Sequence, residues 1–187
     1  MDKRTFLATS LIALAATACT TSSKDSADPA AKRRAIDADV DAALAKLFAQ
    51  VPGSRELAAK ARGVLVFPSV LSAGFGVGGS YGQGALRAGG STQGYYSTTA
   101  ASVGLLAGAD SKAVYLLFMT QDALDKFRNS KGWTAGADAS VTMMKVGAQA
   151  AVDTQTAAAP VVGYALSNAG LMANLSIDGT KVNKLDL

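Results

Sequence analysis

The 187-residue chain has no histidine, one cysteine, one tryptophan and four prolines. Its only glutamate is Glu56. Without histidine there is no Ser-His-Asp or Cys-His nucleophile system and no usual zinc site. A single glutamate also leaves little from which to build a catalytic carboxylate pair. Aromatics reach 6% and charged residues 17%. What stands in their place is small: 38 alanines and 19 glycines, about three residues in ten. A fold built from such side chains must bring backbones close together. With 49% hydrophobic residues, wholesale disorder is excluded, and the length sets one compact domain. Composition alone therefore favours binding, scaffolding or membrane work over catalysis, with no cofactor and no metal expected.

The one cysteine has a context. Lys3 and Arg4 precede an apolar run from Phe6 to Ala16, and small residues follow up to Cys19. This is the three-part layout of a secretory signal peptide, with a run too short to span a bilayer. Ala16-Thr17-Ala18-Cys19 resembles the bacterial lipobox, whose cysteine receives a diacylglycerol and a further acyl chain such as palmitate. Cleavage after Ala18 by the general signal peptidase is the alternative, since Ala-x-Ala suits it as well. Lipidation would anchor the chain permanently, several acyl chains each contributing about 0.8 kcal/mol per buried methylene. Thr20, where an aspartate would signal inner-membrane retention, favours the outer membrane by analogy, with the domain facing the periplasm. The expected organisation is a signal peptide over 1–18, a lipidated flexible tether over 19–34 and a domain over 35–187. Removing residues 1–18 lowers the net charge from +4 to +3. That bias suits an anionic lipid surface and is too small to argue nucleic-acid binding. No second cysteine exists for a disulfide.

Along the domain, Ile36, Val40, Leu44, Leu47, Phe48 and Val51 recur at helical spacing, and Pro52-Gly53 ends the helix. Ser54 is placed to cap a second short helix reaching Ala61. The period then changes. Gly63–Pro68, Tyr95–Gly108 and Ala113–Met119 read as strands, the last apolar on both faces and so buried on both. Gln121–Asn129 reads as a helix capped by Thr120. Trp133–Val146 and Leu171–Ile177 alternate as strands, and Asp178-Gly179 would turn the latter into a returning strand over Lys181–Leu185. Helices first and short strands later predict an α+β fold: N-terminal helices packed on a strongly twisted, Gly-rich antiparallel sheet, barrel-like if it closes.

Residues 71–94 hold nine of the glycines. Gly74-x-Gly76-x-x-Gly79 matches the dinucleotide fingerprint in letters only: no helix-forming stretch follows and no acidic residue lies about twenty positions on. Glycines that permit bulges and tight curvature in a sheet explain the run better. From Leu57 to Ala109 there is no acidic residue, and Lys60, Arg62 and Arg87 are the only charges. A surface made from this interval would be apolar and weakly basic, suiting phospholipid, with these three bases as candidate phosphate contacts. A buried Gly/Ala core carrying three solvated bases is the competing reading. Tyr81, Tyr95, Tyr96 and Tyr115 are candidates for a lipid interface or for core-edge packing, and Trp133 for the core. Asp110, Asp122 and Asp125 fit loop and helix-start positions, with no metal-ligand spacing.

The run Ala61-Arg62-Gly63-Val64-Leu65-Val66-Phe67-Pro68, followed by Ala73 to Gly84 (AGFGVGGSYGQG), resembles the opening of the SYLF domain. Ser102–Gly108 (SVGLLAG), Gly136–Val141 (GADASV), Gly170–Ala173 (GLMA) and Ser176–Gly179 (SIDG) continue the resemblance in order, over about residues 40–187. It implies a non-catalytic domain that binds anionic phospholipids. The family is often basic before its last glycine block, where this chain reads Tyr164-Ala165-Leu166-Ser167-Asn168-Ala169, a departure that argues against phosphoinositide-style headgroup recognition. Actin binding, known in some eukaryotic relatives, does not carry over to a bacterial envelope protein. The expectation is an envelope lipoprotein binding anionic phospholipid at a membrane surface. The alternative is a structural or interaction protein that docks a protein partner.

Overall fold

The computed structural model describes residues 28–144, 159–167, 170–172 and 176–187. The expected signal peptide, Cys19 and the tether up to residue 27 lie outside the described residues. The first helix, α1 (Pro29–Gln50), starts earlier than the sequence reading placed it. Residues 29–34, expected as the end of the tether, form its opening turns. Asp28 caps it by accepting from the Ala30 amide at 3.1 Å, and Pro29 supplies a pre-set φ at the first helical position. Ile36, Val40, Ala43 and Leu47 are buried along one stripe. The helix stops at Pro52-Gly53, where Gly53 takes φ 78°.

In α2 (Ser54–Lys60), Gly53 occupies the cap position and Ser54 does not cap. The Ser54 hydroxyl instead donates back to the carbonyls of Val51 (2.6 Å) and Leu47 (3.3 Å), sealing the end of α1.

The strands expected separately over 63–68, 95–108 and 113–119 merge into one long hairpin, β1 (Gly63–Ala88) and β2 (Ser91–Phe118). They pair antiparallel from Gly63↔Phe118 to Ala88↔Ser91. Gly89 and Gly90, both at positive φ, make the turn. The ribbon does not run straight. A β-carbon on Gly74 would lie 2.7 Å from the Val77 carbonyl oxygen, so the chain doubles back between them. The register slips at the same place, between Phe75 and Val77. Beyond the bend the second half of the ribbon crosses the first face to face. A β-carbon on Gly82 would fall 2.8 Å from the Ser69 oxygen, and one on Gly84 would overlap the Val66 carbonyl. The glycine run is therefore the condition for folding the ribbon on itself.

The remaining strands join β2 on its other edge. Its first part pairs with β7 (Lys181–Leu185) and its last part with β5 (Val161–Ser167). Two residues of β3 (Trp133–Thr134) extend the sheet beyond β7, and β4 (Val141–Met143) extends it beyond β5. The short β6 (Gly170–Leu171) folds back on β5. The result is α+β with a curled seven-stranded sheet.

Several expectations change in this part. The strand expected over Trp133–Val146 is broken by a turn: Gly136 sits at φ 83° and the Asp138 carboxylate accepts from the Thr134 amide at 2.6 Å. Alternation among alanines buries too little area to hold a strand against that local bond. The Asp178-Gly179 turn forms, with Gly179 at φ 78°, yet β7 pairs with β2 and β3 and not with the segment before the turn. Residues 173–175 of that segment lie outside the described residues. β4 pairs with β5 in parallel, an exception to the expected antiparallel sheet. β5 itself was not anticipated, although Val161-Val162 after Pro160 is its apolar signal.

The end of β2 is buried on both faces, as its unbroken apolar run requires. Ala113, Tyr115 and Leu117 pack with Val64, Val66, Val162 and α1. Val114, Leu116 and Phe118 face the other way, against Trp133 and Leu124 and Phe127 of α3 (Gln121–Asn129). Thr120 caps α3, accepting from the Ala123 amide at 3.2 Å. Phe118, Phe127, Trp133 and Tyr96 form an aromatic cluster with centroids 4.8–6.2 Å apart.

The Tyr115 hydroxyl donates to the Ala43 carbonyl at 2.9 Å, tying α1 to the sheet, and burial pushes this phenol up to about 12. The unfolded chain ionises the same phenol near pH 10. A raised folded value means that the stability it contributes is complete below pH 10 and is lost as pH climbs from 10 to about 12. Burial raises Tyr96 and Tyr164 in the same sense. Urea midpoints should hold steady across neutral pH, with no histidine to titrate, and drop above pH 10. Tyr115→Phe should cost about 1 kcal/mol at neutral pH, from the lost hydrogen bond, and should flatten the alkaline drop.

Candidate functional site

Among the described residues no group of acidic or thiol side chains is arranged to hold a metal, and no helix is long and apolar enough to cross a membrane. Two of the three candidate aspartates have structural partners. Asp122 pairs with Lys126 at 2.9 Å and Asp125 accepts from Gln121 at 2.9 Å, both on α3. Asp110 sits inside β2 opposite Ser72, not in the loop expected for it.

Two features of the surface stand out, at opposite ends of the folded ribbon. The first is the bend. Among the described residues, Leu71 (60% exposed), Phe75 (89%), Val77 (69%) and Tyr81 (48%) are the large apolar side chains that stand in solvent, all within eleven residues of β1. No charge occurs between Gly63 and Leu86 or between Ser91 and Ala109, so nothing near the bend is ionic until Asp110 and Lys112. Glycines alternate with these side chains because the backbone must turn there. The apolar residues between them are then thrust outward, with no described element packed over Phe75. Leaving four such side chains in water forgoes on the order of 2 kcal/mol each relative to an apolar surrounding. A contiguous patch of this kind marks an interaction surface.

The second feature is basic. Lys60 ends α2 and is exposed; Arg62 is exposed beside it, with its amide donating to the Phe118 carbonyl at 2.7 Å. Arg62 and Arg87 border one shallow depression with Arg55, Phe48 and the Gly89-Gly90 turn. The Arg55 guanidinium lies 4.6 Å above the Phe48 ring. Arg55 lies one residue before Glu56, outside the acid-free interval, and for that reason sequence reading passed over it.

Arg87 is differently placed from the other two candidates. Its guanidinium meets the Asp41 carboxylate at 2.6 Å and Asp37 at 3.5 Å, and bonds Thr92 and the Asp37 carbonyl. Thr92 and Tyr95 also donate to Asp37, at 2.7 and 2.8 Å. These contacts fasten α1 to the turn end of the hairpin and offset the arginine's charge with two carboxylates. The Arg87 Nε is buried without a partner.

The acid-free interval is therefore not one surface. Eleven residues of strand separate Gly63 from Gly74, a contour of roughly 35 Å at about 3.3 Å per residue. The bases lie toward one end and the apolar bend at the other. The tyrosines divide as well: Tyr115 and Tyr96 are core, Tyr95 is bound to Asp37, and Tyr81 stands at the bend with its oxygen accepting from Gln83. Trp133 is in the core, 2% exposed.

Residues 99–186 match the family model of Ysc84, described as Las17-binding protein actin regulator. The matched span opens within β2 and runs through β7, so the glycine-rich bend of β1 lies before it. No curated protein matches the chain.

Proposed function

We propose, from the SYLF (Ysc84) domain matched over residues 99–186, that the chain is a lipid-binding envelope lipoprotein whose domain meets a phospholipid bilayer without catalysing a reaction. Cys19 is its lipid anchor, in the outer membrane with the domain facing the periplasm. The observation that carries the reading is the apolar bend of β1, where Leu71, Phe75 and Val77 project into solvent from an uncharged ribbon. Asp28 follows Cys19 by nine positions, a chain length that can reach at most about 30 Å and so keeps the domain near the bilayer holding the anchor. Anionic lipid is favoured by the net +3 of the chain that remains after cleavage before Cys19, with Lys60 and Arg62 as phosphate contacts. Arg87, already held by Asp37 and Asp41, positions that end of the domain.

The bend and the basic end lie at opposite ends of the ribbon, and salt distinguishes which of them makes the contact. Flotation of a chain starting at residue 20 with neutral and anionic vesicles, at low and high salt, is the test. Contact through the bend predicts recovery with both vesicle types that survives high salt. Contact through the bases predicts recovery with anionic vesicles only, lost at high salt and in Lys60→Glu/Arg62→Glu. Recovery with neither vesicle type would end the lipid reading. The second reading, docking of a protein partner in the envelope, is favoured by the protein-binding description of the matched family. In-cell cross-linking to one stoichiometric protein partner, together with absent flotation, would establish it.

A further inference from the structure

Between the two crossed halves of the ribbon lies a cavity of about 370 Å³. This is at the lower end of the range for small-molecule sites, about 300–1,000 Å³. Its walls are mainly apolar, from Phe67, Val114, Leu116, Trp133, Ile177 and Val182. Along β2 it extends from Leu116 to Asp110, roughly 20 Å of strand at about 3.3 Å per residue. A long, mainly apolar space of this kind suits an extended, flexible occupant.

Two charged lining residues, Asp110 and Lys112, lie where the cavity nears the bend. Lys112 and Asp110 share one face of β2 at i and i+2, opposite Val70 and Ser72 of β1, and Asp178 borders the same cavity. The Lys112 ammonium is 3.3 Å from the Ser72 hydroxyl, and among the described residues no carboxylate pairs with it within ion-pair distance. Ser72 lines the cavity while its neighbour Leu71 points outward at the bend, so the cavity and the apolar surface are the two faces of one strand.

We infer that this cavity takes one alkyl chain of a phosphoethanolamine lipid, with the phosphate at Lys112 and the ammonium at Asp110. The inference rests on the lipid-binding reading and deepens it: the bend seats in the bilayer and a single chain passes inward between the ribbon halves. One cation and two carboxylates among the lining residues complement a zwitterionic head better than an anionic one.

The chain's single tryptophan lines the wall, which makes contact measurable. Full-length protein carrying Cys19→Ser, free of an acyl chain of its own, is titrated with dibromostearoyl lysophosphatidylethanolamine while Trp133 emission is followed. Quenching should saturate at one lipid per chain. Lys112→Gln should weaken it about tenfold, the loss of one charge-assisted hydrogen bond. Ala100→Leu and, separately, Ser80→Leu place bulk at neighbouring, paired positions of the cavity wall and should abolish quenching while vesicle flotation persists. No quenching by a protein that still floats overturns the cavity site and leaves the lipid reading standing; no flotation overturns the lipid reading itself. Undiminished quenching in both leucine variants overturns the site. Equal affinity for free dibromostearate or for the lysophosphatidylglycerol analogue overturns the headgroup assignment.

Discussion

Gly84→Ala is expected to lower the melting temperature by about 10 °C or more, whereas Gly79→Ala, five residues away in the same glycine run, leaves it nearly unchanged. At Gly84 the new methyl would overlap the Val66 carbonyl oxygen and sit 2.9 Å from the Phe67 ring. Val66 is paired in register with Tyr115 at the centre of the sheet and is fully buried, so neither oxygen nor strand has room to withdraw. Overpacking of a buried site costs about 1–3 kcal/mol and occasionally more, and a backbone clash belongs at the top of that range. For a domain of this size each kcal/mol shifts the midpoint by roughly 2–4 °C. At Gly79 the nearest atom to an added β-carbon is the Ala100 oxygen at 3.7 Å, an ordinary contact. Differential scanning calorimetry of the two variants decides the matter. Equal midpoints would mean that the ribbon does not cross itself at Gly84.

Replacing the two most exposed apolar side chains at the bend, Phe75→Asp with Val77→Asp, should leave stability within about 0.5 kcal/mol, because neither packs in either core cluster. Vesicle recovery should fall by two to three orders of magnitude, since each side chain gives up about 2 kcal/mol of transfer into an apolar medium and two carboxylates then resist entry. The comparison is made by flotation against the unsubstituted chain, with urea unfolding in parallel. Retained recovery would move the contact to the basic end. Lost recovery together with lost stability would show that the bend serves the fold.

Much of the fold is legible in local sequence. Pro52-Gly53 ends α1, Thr120 caps α3, and the unbroken apolar run of 113–118 announces a strand buried on both sides. Each is a local signal, set by a dihedral, a hydrogen bond within four residues or a burial pattern. Ser54 shows where such signals stop: its type suits a cap, but the end of α1 lies closer and takes its hydroxyl. The alanine alternation after Trp133 fails because small side chains gain too little from burial to outweigh one aspartate-to-amide bond.

The candidate site was legible in composition but not in arrangement. The acid-free interval, its three bases and its apolar residues are all visible in order along the chain. The chain does not display that the ribbon folds back at Gly74, placing Phe75 and Val77 outermost and Lys60 and Arg62 far behind them. Nor does it display that Asp37 and Asp41, forty-six and more residues earlier, reach Arg87.

The missing histidines, the lone cysteine beside a leader-like segment and the excess of glycine are properties of the sequence alone, and they limit what chemistry the chain can perform. Which glycines bear the crossing, which bases keep an exposed charge and which apolar residues stand in solvent were decided by tertiary structure. The reason is physical: these depend on contacts between residues distant in sequence, such as Gly84 with Val66, and no local preference encodes such a contact.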